Sequence, residues 1–498
     1  MDTLQNLLLG LQECIQPMNL LYCFVGVFIG TLIGVLPGIG SVGTMAILFP
    51  VTFNAPPLGA IIMLAGIYYG SMYGGSTTSI LVNIPGEMAS VMTCLDGYQM
   101  ALQGRAGPAL GISAFGSFFA GTLGLVCLMF LAPALTTMAL AFGPPEFFSL
   151  MTLGLMILIY IAQKSLTKAL ISGGIGLMLS YVGLDIVTGT ERFSFGFPEF
   201  IDGIGIAPIA MGLFGIAEVL QNLERTVEGT LLKTKIKGLL PTLQDWSDSF
   251  FSILRGAVMG FCLGILPGGG ASLSTYVSYA VEKKVSRHPE KFGSGVIQGV
   301  AGPEAANNAA SSGAFVPLMT LGIPSNAVMA MLFAGLLVHG ITPGPLMLQQ
   351  RPEIFWGLIA SMYIGNLMLL VLNLPLIGMW VKVTRVPFRI LFPLIVLLCI
   401  VGVYSIDSSI LDLRVMMFFG VIGYLMRRCG YEAPPLILAY VLGPGMEQAL
   451  RQSLILSNGD FTIFLVRPIS AVCLGVAALL IILAVIPKKK RLVMQDKM

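Results

Sequence analysis

Charged residues and histidines are both scarce in this sequence. Only 10% of the 498 residues are Asp, Glu, Lys or Arg, 56% are hydrophobic, and there are two histidines. A soluble protein of this length could not cover its surface with so few charges. The composition therefore excludes a soluble globular protein, and two isolated histidines argue against a histidine-based active site.

The eight cysteines are scattered, with no Cys-x-x-Cys pair and no histidine nearby. We interpret them as small apolar residues of membrane helices rather than metal ligands or disulfides. The glycine-rich runs lack the lysine of a phosphate-binding loop. The sequence thus predicts no bound metal, no cofactor and no nucleic-acid partner.

Long apolar segments are abundant, by contrast. Residues 468–487 carry no charge and are followed at once by Lys488–Arg491, which is typical of a spanning helix with a cytoplasmic C-terminus. The first nineteen residues have no basic residue before their apolar run, so we expect an interfacial amphipathic helix there rather than a signal peptide. The sequence predicts an all-α polytopic, multi-pass membrane protein with about 10–12 transmembrane helices.

A segment of the first half recurs in the second. GVFIGTLIGVLPGIG (26–40) aligns without gaps on GAVMGFCLGILPGGG (256–270), and a weaker pair relates YGGSTTSILVNIPGE (73–87) to SSGAFVPLMTLGIPSN (311–326). We predict two transmembrane repeats, residues 1–235 and 251–498, joined by a polar cytoplasmic linker at 236–250. Repeats with interrupted helices are typical of secondary transporters, and an inverted relation between the repeats is the expected one.

Each copy of this segment combines a glycine face with a helix break. Glycine recurs every fourth residue over 26–34 and over 256–264, which makes a smooth surface for close helix packing. Pro37 and Pro267 then remove a hydrogen-bond donor, and the glycines beyond permit backbone angles closed to other residues. Non-helical backbone at membrane depth must be buried by protein or line a watery cavity. The breaks indicate a broken or re-entrant helix at a ligand site, with a packing kink as the alternative.

A polar segment follows each break, at 68–79 and at 302–313. Hydroxyl and amide groups at membrane depth must pair with each other, with water or with a ligand. The residues predicted to line or shape a substrate site are Gly38, Gly40, Ser41, Thr44, Gly74, Gly75, Ser76, Thr77, Thr78, Asn83, Gly268, Gly269, Gly270, Asn307, Asn308, Ser311, Ser312 and Gly313.

Glu304 is the one carboxylate inside these polar segments. An ionisable residue within the membrane is a functional hypothesis by default, so we assign Glu304 to ion coupling. An exposed helix-capping role after Pro303 is the alternative. No lysine or arginine lies in the four segments, so an anionic substrate would be held by hydroxyls, amides and helix ends.

The motifs GVLPGIG, GSMYGGSTTSILVNIPGE, GILPGGG and GPEAANNAASSGAFVPLMTLGIPS resemble the large membrane subunit of the tripartite tricarboxylate transporter family, the TctA family. The likeness runs from about residue 20 to the C-terminal region. It implies a bacterial inner-membrane symporter that imports a citrate-like carboxylate, driven by a sodium or proton gradient. It also implies two partners, a small membrane subunit and a periplasmic solute-binding protein.

Two other classes of function stay open from the residues alone. A passive channel can also contain duplicated helix breaks. An intramembrane enzyme is disfavoured because the sequence holds no His/Asp/Cys constellation and no Asp-rich metal motif.

Overall fold

The computed structural model describes residues 3–36, 40–53, 55–161, 165–185, 187–224, 238–266, 268, 270–383 and 388–485. Within these ranges the chain is almost entirely helical. The helices are α1 Thr3–Cys14, α2 Pro17–Val35, α3 Gly40–Leu48, α4 Pro57–Val82, α5 Val91–Leu102, α6 Ala106–Ala139, α7 Pro144–Ile161, α8 Leu166–Ser180, α9 Ile206–Ala210, α10 Ala217–Glu224, α11 Leu243–Ile265, α12 Gly270–Val285, α13 Gln298–Leu321, α14 Ala327–Val338, α15 Met347–Gln350, α16 Pro352–Asn373, α17 Ile377–Val383, α18 Phe388–Asp407, α19 Ile410–Arg428, α20 Pro434–Leu456, α21 Ile463–Val466 and α22 Pro468–Val485.

A π-helical stretch, Met211–Ile216, joins α9 and α10 into one helical segment. Two short antiparallel strands, β1 Gly183–Leu184 and β2 Glu191–Arg192, pair Gly183 with Arg192 in the connection between α8 and α9. Helix α11 begins at Leu243, within the range predicted to be linker, and Thr242 caps it by accepting a hydrogen bond from the amide of Asp245.

The described residues contain six helices that are long and apolar enough to cross a membrane: Pro17–Val35, Pro57–Val82, Ala106–Ala139, Ile206–Glu224, Leu243–Ile265 and Pro352–Asn373. Six shorter apolar helices accompany them. The chain is therefore an all-α, multi-pass membrane protein, as predicted. The C-terminal tail from residue 486, on which the predicted orientation rests, lies outside the described residues.

The glycine faces are packing surfaces, and they work in the same way in both halves. A Cβ built on Gly26, Gly30 or Gly34 would lie 2.4–2.6 Å from a backbone carbonyl oxygen of α4, and one on Gly256, Gly260 or Gly264 would lie 2.3 Å from a carbonyl oxygen of α13. No side chain fits at such distances, so only glycine lets these backbones touch. The contacted residues (Met63, Ile67 and Ser71 in α4; Gly302, Ala306 and Ala310 in α13) occupy matching positions in the two repeats.

The breaks are re-entrant. The pairs Gly26–Met63 and Gly34–Ser71 show that α2 and α4 run side by side in the same direction. The segment between them, which contains α3, must therefore return the chain to the side where α2 starts. In the second half, α12 starts near the end of α11 and returns along it, because its Glu282 accepts hydrogen bonds from Ser252 and Arg255 in the middle of α11.

The two halves meet where α4 crosses α13, and the two helices run in opposite directions there. Ser76 contacts Glu304, whereas Tyr68, two turns earlier in α4, lies beside Phe315, three turns later in α13 (ring centroids 6.2 Å apart). Equivalent helices that run antiparallel identify the repeats as inverted, as expected for the transporter class. Around this centre, α7, α8, α20 and α22 form one peripheral group, and the α9–α10 segment, α18 and α19 form the other.

Candidate functional site

Glu304 lies at the interface between the halves with its side chain completely buried. Ser76 of α4 donates to its Oε2 at 2.5 Å, Thr93 of α5 donates to its Oε1, and the hydroxyl of Ser113 in α6 faces the same carboxylate. We call these four residues the carboxylate cage. Burial contradicts the alternative of an exposed helix cap, because the carboxylate binds first-half helices rather than the end of its own helix.

Two asparagines follow Glu304 on α13 and differ in how they are satisfied. Asn308 donates to the hydroxyl of Ser117 at 2.7 Å and to the Glu304 carbonyl at 3.1 Å, which fixes α13 against α6. Asn307 is fully buried, its amide nitrogen reaches the Met72 carbonyl at 3.5 Å, and its Oδ1 has no hydrogen-bond partner in the part of the chain that the structure describes. An unpaired amide oxygen inside the protein is unfavourable. Asn307 is therefore a candidate for direct contact with a bound substrate or ion.

The first break lies against the turn that ends α4. This turn, residues 83–87, is called the first tip, and Asn83 begins it in the left-handed conformation (φ 59°). Its last residue, Glu87, places Oε2 3.9 Å from where a Cβ on Gly40 would lie, at the start of α3. The hydroxyl and backbone amide of Ser41 and the hydroxyl of Ser71 face this carboxylate. The anion-binding helix start predicted at this break is therefore already occupied by a carboxylate of the protein itself.

The second break meets the equivalent turn, residues 322–326, called the second tip. The amide of Gly268 donates to the Ser325 carbonyl at 2.7 Å, and a Cβ on Gly270 would lie 4.0 Å from the amide nitrogen of Asn326. Gly268 (φ 77°) and Gly270 (φ 51°) both adopt backbone angles that favour glycine. The helix start of α12 thus faces a neutral amide where the helix start of α3 faces a carboxylate.

Tyr68 connects the two tips. It lies in the middle of α4 and is 2% exposed. Its hydroxyl is within hydrogen-bonding reach of Asn326 and close enough to Glu87 for an electrostatic interaction. The two tips and the two re-entrant helix starts therefore converge on one region between the halves. Among the described residues, no lysine, arginine or histidine forms an ion pair with Glu87 or Glu304.

A model of the tripartite tricarboxylate transporter TctA family matches residues 20–438. The chain belongs to the TctA family. A 52.8 kDa protein of Agrobacterium vitis, described as uncharacterised and encoded in the TAR-I ttuC′ 3′ region, is 48% identical over 487 residues, covering 98% of this chain and 97% of the relative. A protein from the TAR-II ttuC′ 3′ region of the same organism is 50% identical over 228 residues (46% of this chain, 94% of the relative).

A more distant relative, the uncharacterised protein MJ1079 of Methanocaldococcus jannaschii, is 24% identical over 272 residues, or 54% of this chain and 63% of the relative. No solved structure matches the chain. Membership of the TctA family makes this protein a membrane subunit of a tripartite tricarboxylate transporter, a class that works with partner subunits.

The remaining predicted site residues divide by their contacts. Several hydroxyls donate to backbone carbonyls of their own helix: Thr44 to Gly40, Thr78 to Gly75 and Ser311 to Asn307. Ser312 donates both to Asn308 and across to Gly121 of α6, Thr77 is buried, and Asn83 is exposed at the end of α4. Gly74, Gly75 and Gly313 lie against backbone or the first tip and shape the packing. Gly38 and Gly269 lie outside the described residues.

The sequence did not predict seven residues of this candidate site, namely Tyr68, Ser71, Glu87, Thr93, Ser113, Ser117 and Asn326. The internal alignment could have found three of them. Glu87 aligns with Asn326 at the ends of the two tips, and Tyr68 aligns with Asn307. Thr93, Ser113 and Ser117 come from helices whose positions around α13 only the packing reveals.

Proposed function

We propose that this TctA-family protein is the large subunit of a binding-protein-dependent secondary transporter, and that it imports a citrate-like tricarboxylate or related carboxylate by symport with sodium ions or protons. The observation that carries the proposal is Glu304. It is a fully buried carboxylate with hydroxyl partners and no ion-pair partner among the described residues, placed where two inverted repeats meet.

The carboxylate cage has the chemistry of a cation site. A buried carboxylate without an opposite charge is costly in a medium of low dielectric constant, and a bound cation or proton offsets that cost. Carboxylate and hydroxyl oxygens are ligands that hard cations prefer. Ser76 and Thr93 come from the first repeat and Glu304 from the second, so occupancy of the cage would change how strongly the repeats attract each other.

The substrate is proposed to bind in the region where the tips converge. Its carboxylate groups would approach the start of α12, which faces the neutral Asn326, rather than the start of α3, which faces Glu87. Hydroxyls, amides and helix-start amides would hold the anion. Because Glu87 and Glu304 repel an anion, substrate would bind well only after cations have bound, and this order couples the two fluxes.

The proposed setting is the bacterial inner membrane, with the C-terminus cytoplasmic, a small membrane subunit alongside and a periplasmic solute-binding protein delivering substrate. The distribution of basic residues supports this orientation. Lys168 at the start of α8 donates to the carbonyl of Cys429 just after α19, and Arg427 pairs with Glu218 of α10, so basic residues of two peripheral helices gather at one end of the molecule.

The proposal can be tested with the protein reconstituted into liposomes together with its partner subunits. Uptake of radiolabelled citrate should exceed the equilibrium level only when a sodium or proton gradient is imposed, and Glu304→Gln should lower gradient-driven uptake about 100-fold. Glu353→Gln, which changes a partly exposed glutamate at the start of α16, is the matched control and should transport normally.

Two outcomes would count against the proposal. Citrate that equilibrates across the membrane without concentrating would identify a passive channel. Gradient-driven uptake by Glu304→Gln at the wild-type rate and with the wild-type ion dependence would show that Glu304 is structural.

A further inference from the structure

The first tip carries a second carboxylate that ion coupling through Glu304 does not use. Glu87 ends the tip and precedes a 3₁₀ turn, Met88–Ser90, at the start of α5. Its neighbour Gly86 is packed so closely that a Cβ there would lie 1.9 Å from the Gly34 carbonyl and 2.7 Å from the Cα of Gly75. The tip is therefore wedged between α2 and α4, and the position of Glu87 is fixed by backbone packing.

The carboxylate of Glu87 is incompletely satisfied. Its Oε1 is buried and has no hydrogen-bond partner among the described residues. The Ser71 hydroxyl, which faces this carboxylate, donates its own hydrogen to the Tyr68 carbonyl at 2.8 Å, so it offers lone pairs on its other side. Ser41 brings a second hydroxyl oxygen to this carboxylate. A carboxylate with one unpaired oxygen and two hydroxyl neighbours resembles a cation site without its cation.

The surroundings of Glu87 supply little positive charge. Among the described residues, the titratable groups close enough to interact with its charge are Tyr68 and Glu218, and Glu218 is already paired with Arg427. The start of α3 contributes only the partial charge of a helix dipole. A negative charge in this place therefore calls for a cation from outside the protein.

The duplication shows that Glu87 and Glu304 are independent features. Position 87 corresponds to Asn326 in the second repeat, and position 304 corresponds to Ala65 in the first. Glu87 therefore has no carboxylate counterpart in the second repeat, and Glu304 has none in the first. Because the two carboxylates occupy non-equivalent positions, the relation between the repeats does not bring them to one common cation.

We propose that Glu87, with the hydroxyl oxygens of Ser41 and Ser71, binds a second monovalent cation, sodium or a proton, that is transported with the substrate. The inference rests on the proposed function, since it concerns the stoichiometry of cation-coupled uptake. It assigns one cation to the carboxylate cage and another to the first tip, where the cation also neutralises Glu87 beside the substrate region.

The test measures how many cations accompany each substrate molecule in liposomes that contain the full complex. This ratio of cations to citrate is calculated from the membrane potential and ion gradient at which the net citrate flux is zero. It is measured for the wild type, for Glu87→Gln and for the Glu353→Gln control. Glu87→Gln should lower the number by one and reduce the cooperativity of cation dependence, while citrate exchange across the membrane continues. Repeating the measurement with only a sodium gradient or only a proton gradient shows which of the two cations binds at Glu87.

The possible results distinguish a failure of the proposed function from a failure of the second cation site. A wild-type protein without cation dependence would overturn the proposed function, whereas a cation-dependent wild type and a Glu87→Gln variant with the same stoichiometry would overturn only this inference. If Glu87→Gln does not assemble, Ser41→Ala serves instead, because it removes one proposed ligand and keeps the charge. It should raise the half-saturating cation concentration about tenfold, and an unchanged value would refute the site.

Discussion

In the first repeat the helix start after the break faces Glu87, whereas in the second repeat the equivalent helix start faces Asn326. The backbone around both is alike, because each break follows a glycine face and each tip packs beside the break of its own repeat. Among the described residues, the side chain that the tip presents to the helix start differs, being a carboxylate in the first repeat and an amide in the second. One duplicated scaffold thus supplies one helix start that a protein carboxylate occupies and another that faces a neutral amide.

The same contrast holds for the helices that cross at the centre. α13 contributes Glu304 and Asn307, and the matching positions of α4 hold Ala65 and Tyr68. The backbone contacts of the glycine faces are repeated in the two halves, whereas the polar side chains of α13 at these positions have no equivalent in α4. We infer that packing constrains both halves equally, while binding chemistry is divided between them.

The largest expected effect tests whether the two glycine faces are equivalent. Gly30→Leu and Gly260→Leu should each destabilise the fold by more than about 3 kcal/mol, because a Cβ would meet a backbone oxygen at 2.6 Å and 2.3 Å. The yield of monodisperse protein after detergent extraction measures this. Gly174→Leu is the control, since no atom of another described helix lies within 4 Å of a Cβ there. If only one of the two substitutions lowered the yield, the two glycine faces would not be equivalent in packing.

An intermediate effect is expected when the second tip is made like the first. Asn326→Asp keeps an oxygen that can accept from the Met329 amide, so α14 stays capped. It places a carboxylate at the start of α12, and we expect the half-saturating citrate concentration to rise about tenfold. The concentration dependence of uptake checks this. An unchanged value would mean that substrate does not use the second helix start, and the proposed division between the tips would fail.

The smallest effect concerns the peripheral helices. Asp185, between α8 and α9, accepts hydrogen bonds from the Val187 amide and from Arg451 of α20, and these lower the pKa of its carboxyl. A lowered folded-state pKa stabilises the fold above the unfolded pKa of about 3.9, and this stabilisation is lost as the pH falls through the folded value. Asp185→Asn should lower the melting temperature by roughly 1–3 °C at pH 7.

The pH dependence provides the check on Asp185. The difference in melting temperature between wild type and variant should be constant from pH 7 to pH 5 and should shrink below about pH 4. A difference that does not change with pH would mean that the carboxylate charge is not what Asp185 contributes.

Much of the fold could be predicted because repeated backbone features leave a repeated sequence pattern. The four-residue glycine spacing predicted close packing, and Gly30 and Gly260 show it. The proline–glycine breaks predicted re-entrant segments. The carboxylate cage could not be predicted in full, since Thr93 and Ser113 lie on α5 and α6, and nothing local in those helices indicates that they surround Glu304.

The sequence by itself determined that this is a duplicated, multi-pass membrane protein of the TctA family with helix breaks at matching places, because composition and backbone-breaking residues act locally. Only the tertiary structure decided that the repeats run in opposite directions, that Glu304 is buried among hydroxyls of the other repeat, and that Glu87 lies over the first helix start. These features depend on which helices cross, and helix crossing is set by packing between residues distant in the chain.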